Sequence, residues 1–227
     1  MESVHIHYDQ ELQPYHEVVA DLVCSYIKQE GTVLDIGCGV GHTLWKIREK
    51  RPDLLLWAAD IDEHCLQITE ERVGLQRRLH LHAIEDLYHM QMAVDAVIMS
   101  HSLEHMRRPV DTVREIMKFL ITDGVLVLAV PNPVRLQVVL SSICKQHYVN
   151  RGHVCAWDRS HWMNFLENIL GLQVICYAED YFPLPLRERL PFIRRFEKSL
   201  VRIFPWLSFS NIAVVKKRPS DQQMGLR

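Results

Sequence analysis

The sequence predicts an α/β fold, a doubly wound, mostly parallel sheet. Three observations lead there. Between residues 32 and 131, apolar runs of strand length alternate with stretches of helical periodicity. The first run, Thr32-Val33-Leu34-Asp35-Ile36, passes straight into Gly37-Cys38-Gly39-Val40-Gly41-His42, with glycine on three alternate positions. Polar groups then gather where the runs stop, at Asp35, Asp60, Glu85, Asp86, Ser100 and His101. In open sheets of this kind the ligand crevice lies at the carboxyl ends of the strands.

Taken in order, the chain begins with Val4-His5-Ile6-His7-Tyr8, read as a frayed terminus rather than a lid. From Pro14 to Gln29, Val18, Val19, Leu22, Val23, Tyr26 and Ile27 recur at helical spacing, with Gly31 just past the end. Val33, Leu34 and Ile36 suit a strand covered on both faces. The glycines after it tolerate backbone angles and close approach that a Cβ would block. A dinucleotide fingerprint needs G-x-G-x-x-G, and His42 breaks that pattern. His42 to Lys50 reads as a helix ended by Pro52, and Leu54 to Ala59 as a second buried strand finishing in Asp60. Asp60 lies 19 residues after Gly41, close to the spacing of about 20 at which a carboxylate holds ribose hydroxyls. Asp62 is its competitor, better placed as the N-cap of a helix from Glu63 to Val73 closed by Gly74. Leu79 to Ala83 alternates apolar and polar as a third strand nearer a sheet edge, and Glu85-Asp86 follows it.

Val94 to Met99 is the fourth strand, followed by Ser100-His101-Ser102-Leu103-Glu104-His105. The letters His101-x-x-Glu104-His105 match the inverted zinc-protease pattern. However, the run leaves a strand directly and is cut off by Pro109, and no third ligand is evident, so no metal is expected. Val113, Ile116, Met117, Leu120 and Ile121 describe an amphipathic helix with Pro109 at its start. Asp123-Gly124 turns the chain into a fifth strand, Val125 to Val130, which stops at Pro131-Asn132-Pro133. Val134 to Val149 reads as a helix, Asp158 as the N-cap of a helix carrying Trp162, Phe165, Leu166, Ile169 and Leu170, and Leu172 to Tyr177 as a sixth strand. Ser210 to Lys216 is the last. Between these strands, residues 187–206 place Leu190, Ile193, Phe196, Leu200 and Phe204 on one helical face, with six basic and two acidic residues. That span is read as a cover helix on the sheet, with peripheral membrane contact as the alternative.

Length and composition bound the function. At 227 residues, 48% hydrophobic and 24% charged, the chain suits one globular domain. A net charge of -2 and a pI near 6.7 give no global attraction to nucleic acid or acidic membranes. The six cysteines, at 24, 38, 65, 144, 155 and 176, form no C-x-x-C pair, which fits reduced thiols in a cytoplasmic setting. The N-terminus lacks a basic region followed by an apolar one, and no apolar run reaches the roughly 18 residues of a membrane span. Neither export nor a transmembrane segment is expected.

Asp35-x-Gly37-x-Gly39-x-Gly41 resembles motif I of the class I S-adenosylmethionine (SAM)-dependent methyltransferases. The order Leu103-Glu104-His105, helix, Asp123-Gly124, apolar strand, Pro131-Asn132 resembles the small-molecule methyltransferases of quinone, saccharide and secondary-metabolite pathways. Those families usually have Pro-Gly-Gly where this chain has Thr122-Asp123-Gly124. The likeness spans roughly residues 14 to 178. It implies a Rossmann-like, seven-stranded sheet with the last strand antiparallel, in a single domain over 1–227. Within it, 1–31 would form an N-terminal helix or lid, 32–133 the SAM-binding core, and 134–227 the acceptor side.

The resemblance also implies roles. Asp35, Gly37, Gly39, Gly41, Asp60, Glu85, Asp86, Ser100 and His101 would bind SAM, with Glu85 or Asp86 against the adenine amino group. The acceptor would be a small molecule, a hydroxyl of a saccharide, quinone-like or lipid-linked metabolite. A hydroxyl acceptor needs a general base, for which His105 ranks first and His153 second, ahead of His101. Methyltransferases acting on nucleic-acid amino groups place [D/N/S]-P-P-[Y/F] after strand four. Here that place holds Ser100-His101-Ser102-Leu103, and no nucleic-acid partner is expected. The alternatives are a methyltransferase-like scaffold and a protein methyltransferase.

Overall fold

The computed structural model describes residues 11–144, 152–184 and 194–218. The chain packs as two compact units: the residues to Ser100 with Asp111–Val127, and His101–Val110 with the residues from Leu128 onward. In the first lie α1 (Pro14–Tyr26), β1 (Thr32–Ile36), α2 (His42–Lys50), β2 (Leu55–Asp60), α3 (Glu63–Val73), β3 (Arg77–His80), β4 (Val94–Ser100) and most of α4 (Pro109–Met117). β5 (Leu120–Pro131) begins in the first and ends in the second. The second adds α5 (Leu136–Cys144), α6 (Arg159–Asn164), β6 (Gln173–Ala178), α7 (Arg194–Ile203) and β7 (Ser210–Lys216). The strands form one sheet in the order β3-β2-β1-β4-β5-β7-β6. β1 runs parallel to both β2 and β4, β2 parallel to β3, and β6 antiparallel to β7.

The apolar runs bury as their composition requires. Val33 and Leu34 are fully buried, and Leu34 stands in register with Trp57 on one side and Val97 on the other. In α1 the inward face is Tyr15, His16, Val19, Ala20 and Val23, while Tyr26 is exposed. The helix stops at Tyr26, short of Gln29, because Arg51 satisfies its orphan carbonyls. The guanidinium donates to Cys24 O at 3.3 Å, Ile27 O at 3.2 Å and Lys28 O at 3.1 Å, and Asp53 holds it there at 2.7 Å.

Other elements also depart from expectation. β3 starts at Arg77, two residues before Leu79, because Gln76 clamps Leu56 through both backbone and side chain (2.9 and 2.6 Å). It ends at His80, because Asp86 captures the amides of His82 and Ala83 (2.7 and 3.1 Å) and curls them into a turn. α4 ends at Met117, where Lys118 and Phe119 make i to i+3 bonds, so Leu120, Ile121, Asp123 and Gly124 belong to β5. After Asn164 the helix of α6 widens into a π turn over Phe165–Ile169, with Leu170 N bonded to Phe165 O at 3.0 Å.

In the second unit, buried Asn132 acts as a side-chain bracket. Its amide donates to Trp206 O (2.8 Å) and Ser208 O (2.9 Å), and its oxygen accepts from Val134 N (3.1 Å). Trp157, Trp162 and Phe165 pack ring against ring behind α6. On α7 the inward residues are Glu197 and Val201, with Phe196 turned to solvent, rather than the face expected from Phe196, Leu200 and Phe204. Leu190, Ile193 and the basic residues before Arg194 lie outside the described residues, as do Val4–Tyr8, Lys145, His147 and Val149. Among the described residues, no helix is long and apolar enough to cross a membrane.

Candidate functional site

In the first unit, β1 delivers the chain into a turn that only glycine accommodates easily. Gly37, Gly39 and Gly41 have φ of 74°, 51° and 77°, all left-handed. At Gly41 a Cβ would sit 2.6 Å from Thr69 Cγ2 on α3. The turn is tied to the end of β2: Gly37 N donates to Ala59 O at 2.8 Å, and Gly39 N to Asp60 Oδ2 at 2.9 Å. The other Asp60 oxygen accepts from Asp62 N at 2.9 Å. Each carboxylate oxygen keeps a second lone-pair direction, so Asp60 can hold the loop and still accept from a ligand hydroxyl. Asp62 caps α3 through His64 N and Cys65 N, as its spacing predicted.

The other expected residues of this unit divide. Asp35 is buried in β1. Ser100 Oγ, at the end of β4, is buried with no hydrogen-bond partner among the described residues. Asp86 is committed to the His82 and Ala83 amides, which hold its carboxyl below the usual range, while Glu85 is exposed. Sequence reasoning missed His16. It is buried on α1 with its ring centroid 5.1 Å from that of His42, and burial, then His42, pushes its pKa down to about 3. Its spacing to Val19, Ala20 and Val23 was the signal. A cradle of left-handed glycines, a strand-end carboxylate with lone pairs in reserve and an orphaned buried hydroxyl fit a ligand laid flat on main chain, as SAM requires.

In the second unit, His101 takes φ of 53°, unusual for a residue with a Cβ. Its Nε2 meets Ser210 Oγ at 2.8 Å, its ring stacks on Phe209 at 5.9 Å, and its amide donates to Ala129 O at 2.8 Å. The short helical turn Leu103–His105 follows. His105 Nδ1 donates to Gly152 O at 2.9 Å, and the ring meets that of His153 edge-on at 4.9 Å. The fold therefore brings together the two histidines named as bases. It also adds Glu104, which is buried, with burial pushing its pKa up to about 8. Glu104 Oε1 lies 4.0 Å from His153 Nε2, and His153 is pushed down to about 4 by burial, then by His105 and Arg135. Nothing in the sequence marks Glu104 as buried; only packing reveals it.

Residues 7–177 match the family model described as a methyltransferase domain. Over 167 residues the chain is 23% identical to a carboxy-S-adenosyl-L-methionine synthase of Campylobacter hominis, covering 69% of this chain and 71% of that protein. Over 211 residues it is 23% identical to a malonyl-[acyl-carrier protein] O-methyltransferase of Priestia megaterium, covering 92% and 74%. Its fold is similar to that of magnesium protoporphyrin IX methyltransferase from Synechocystis PCC 6803, solved with bound SAH. That match has a TM-score of 0.59 and 18% identity, covering 88% of this chain and 80% of the other.

Proposed function

The chain belongs to the methyltransferase-domain family and is a SAM-dependent methyltransferase; from that premise we propose that it methylates a hydroxyl of a small-molecule acceptor. The observation that carries the reading is the left-handed glycine turn pinned to Asp60 through Gly39 N. Bound SAM supplies a methyl group activated by a sulfonium. The residues of this chain position it. Gly37, Gly39 and Gly41 would admit close approach to main chain, Asp60 would accept from the ribose hydroxyls, and Asp35 would offer a carboxylate to the cationic methionine end. Of the two acids after β3 we assign the adenine contact to Glu85, since Asp86 is already occupied by two amides. Ser100, at the end of β4, would complete the cofactor wall.

Transfer to a hydroxyl would require the acceptor oxygen to give up its proton. We assign that proton to the His105–His153 pair. Holding donor and acceptor in line with water excluded is the larger part of the task, and such orientation can supply several kcal/mol. One observation favours a lipid-linked member of the acceptor class. Phe196, Ile203, Phe204 and Trp206, on and just after α7, are 54%, 63%, 39% and 51% exposed, an apolar surface of the kind that meets a bilayer.

Calorimetric titration with SAH tests the cofactor assignment. Wild type should bind, and Asp60→Ala should lose binding while retaining its circular dichroism spectrum. Folded wild type that binds neither SAM nor SAH would leave only the scaffold reading. Methyl-labelled SAM incubated with a lysate tests the acceptor class: label in the small-molecule or lipid fraction supports the proposal, and label confined to protein replaces it with protein methylation.

A further inference from the structure

We propose that Glu104, His105 and His153 form a divalent-cation site of the zinc type within the second unit. The three donors come from two stretches 48 residues apart in sequence, His105 to His153. Hydrogen bonds tie those stretches together. Val154 N and Cys155 N donate to Glu104 O at 2.8 and 3.1 Å, and His105 Nδ1 donates to Gly152 O at 2.9 Å. One carboxylate oxygen and two imidazole nitrogens then fall within 4.8 Å of one another. Glu104 Oε1 lies 4.0 Å from His153 Nε2.

Two further observations point to a ligand. The Glu104 side chain is 2% exposed, and neither of its oxygens has a hydrogen-bond partner among the described residues. A buried carboxylate with no partner is costly, and a cation between it and the imidazoles removes the cost. Second, a carbonyl only accepts, so the contact with Gly152 O places the His105 proton on Nδ1 and directs its lone pair through Nε2. Metal-bound histidines are commonly oriented by that kind of carbonyl contact. Bonds of about 2.0–2.2 Å put tetrahedral donors about 3.4 Å apart, so binding draws the cluster inward by roughly an ångström. Two imidazoles and a carboxylate with a fourth position open suit zinc, whereas magnesium and calcium want oxygen. With the cation bound both imidazole lone pairs are taken, so an acceptor oxygen at the open position would ionise more readily and release its proton to water in place of transfer to the His105–His153 pair. That consequence rests on the methyltransferase reading; cation binding does not.

The test uses the full chain, stripped with chelator and dialysed against Zn²⁺ with millimolar Mg²⁺ present. The expected result is about one zinc per chain, and Co²⁺ substitution giving d–d bands without thiolate-to-metal charge transfer. Glu104→Gln and His153→Asn, each shown folded by circular dichroism, should bind more than about 100-fold more weakly. The second variant, at a partly exposed site, keeps the test decisive where the first fails to fold. Far less than one zinc on wild type, thiolate bands in the Co²⁺ spectrum, or wild-type affinity in both variants would each overturn the proposal. SAH titration of the same samples reports separately on the methyltransferase reading.

Discussion

Gly41 combines a left-handed φ with a Cβ direction blocked by Thr69. Gly41→Ala should therefore destabilise the chain by about 1–3 kcal/mol in urea denaturation and weaken SAH at least tenfold by calorimetry. His16 sets a pH dependence. Its folded pKa, about 3, lies below the ordinary 6.5, so as pH falls below 6.5 the unfolded chain takes a proton that the folded chain refuses. Stability is then lost at about 1.4 kcal/mol per pH unit between pH 6.5 and 3. The difference in unfolding free energy between wild type and His16→Gln should shrink across that window and stay constant above pH 7.5. At the proposed acceptor end, alanine at both His105 and His153 should lower turnover by 10²–10⁴-fold, the usual worth of general acid–base catalysis, with SAH affinity within threefold of wild type.

At the scale of elements, local pattern located the helices and strands while side-chain brackets set where they stop. The periodicity of Val19, Ala20 and Val23 called for a helix, but Arg51, 25 residues beyond Tyr26, ended it by taking the last carbonyls. Gln76 and Asp86 likewise fixed β3, a strand whose alternation pointed two residues downstream. Asn132 plays the same part in the second unit. Replacing it with alanine leaves the carbonyls of Trp206 and Ser208 and the Val134 amide without that partner, at a cost of about 2–4 kcal/mol. Hydrogen exchange should then quicken over residues 206–210 more than in β1. α7 shows the limit of periodicity: the spacing groups its apolar residues on one face of a cover helix, yet Glu197 is buried and Phe196 is not. If the outward residues meet a bilayer, wild type should co-sediment with anionic vesicles and the Phe196→Ser/Trp206→Ser double variant should not.

For the whole molecule, a ligand that binds only the folded state stabilises it by mass action. SAH at 100 times its dissociation constant should add about 2.7 kcal/mol, raising the melting temperature by roughly 5–10 °C for a chain of this size. Asp60→Ala should show no such rise. The α/β class, the seven strands, the glycine turn, Asp60 and the Asp62 cap could all be read from the chain. Each is written in short-range terms: an apolar run with two covered faces, a glycine where φ must be positive, a carboxylate at a strand end. What only the tertiary structure decided was the meeting of Glu104 with His153 and the burial of His16 beside His42. Both depend on which distant segments pack together, and no local periodicity encodes a pairing across 49 residues. The letters His-x-x-Glu-His carried two donors; the third arrives only when Val154 and Cys155 bond to Glu104 O.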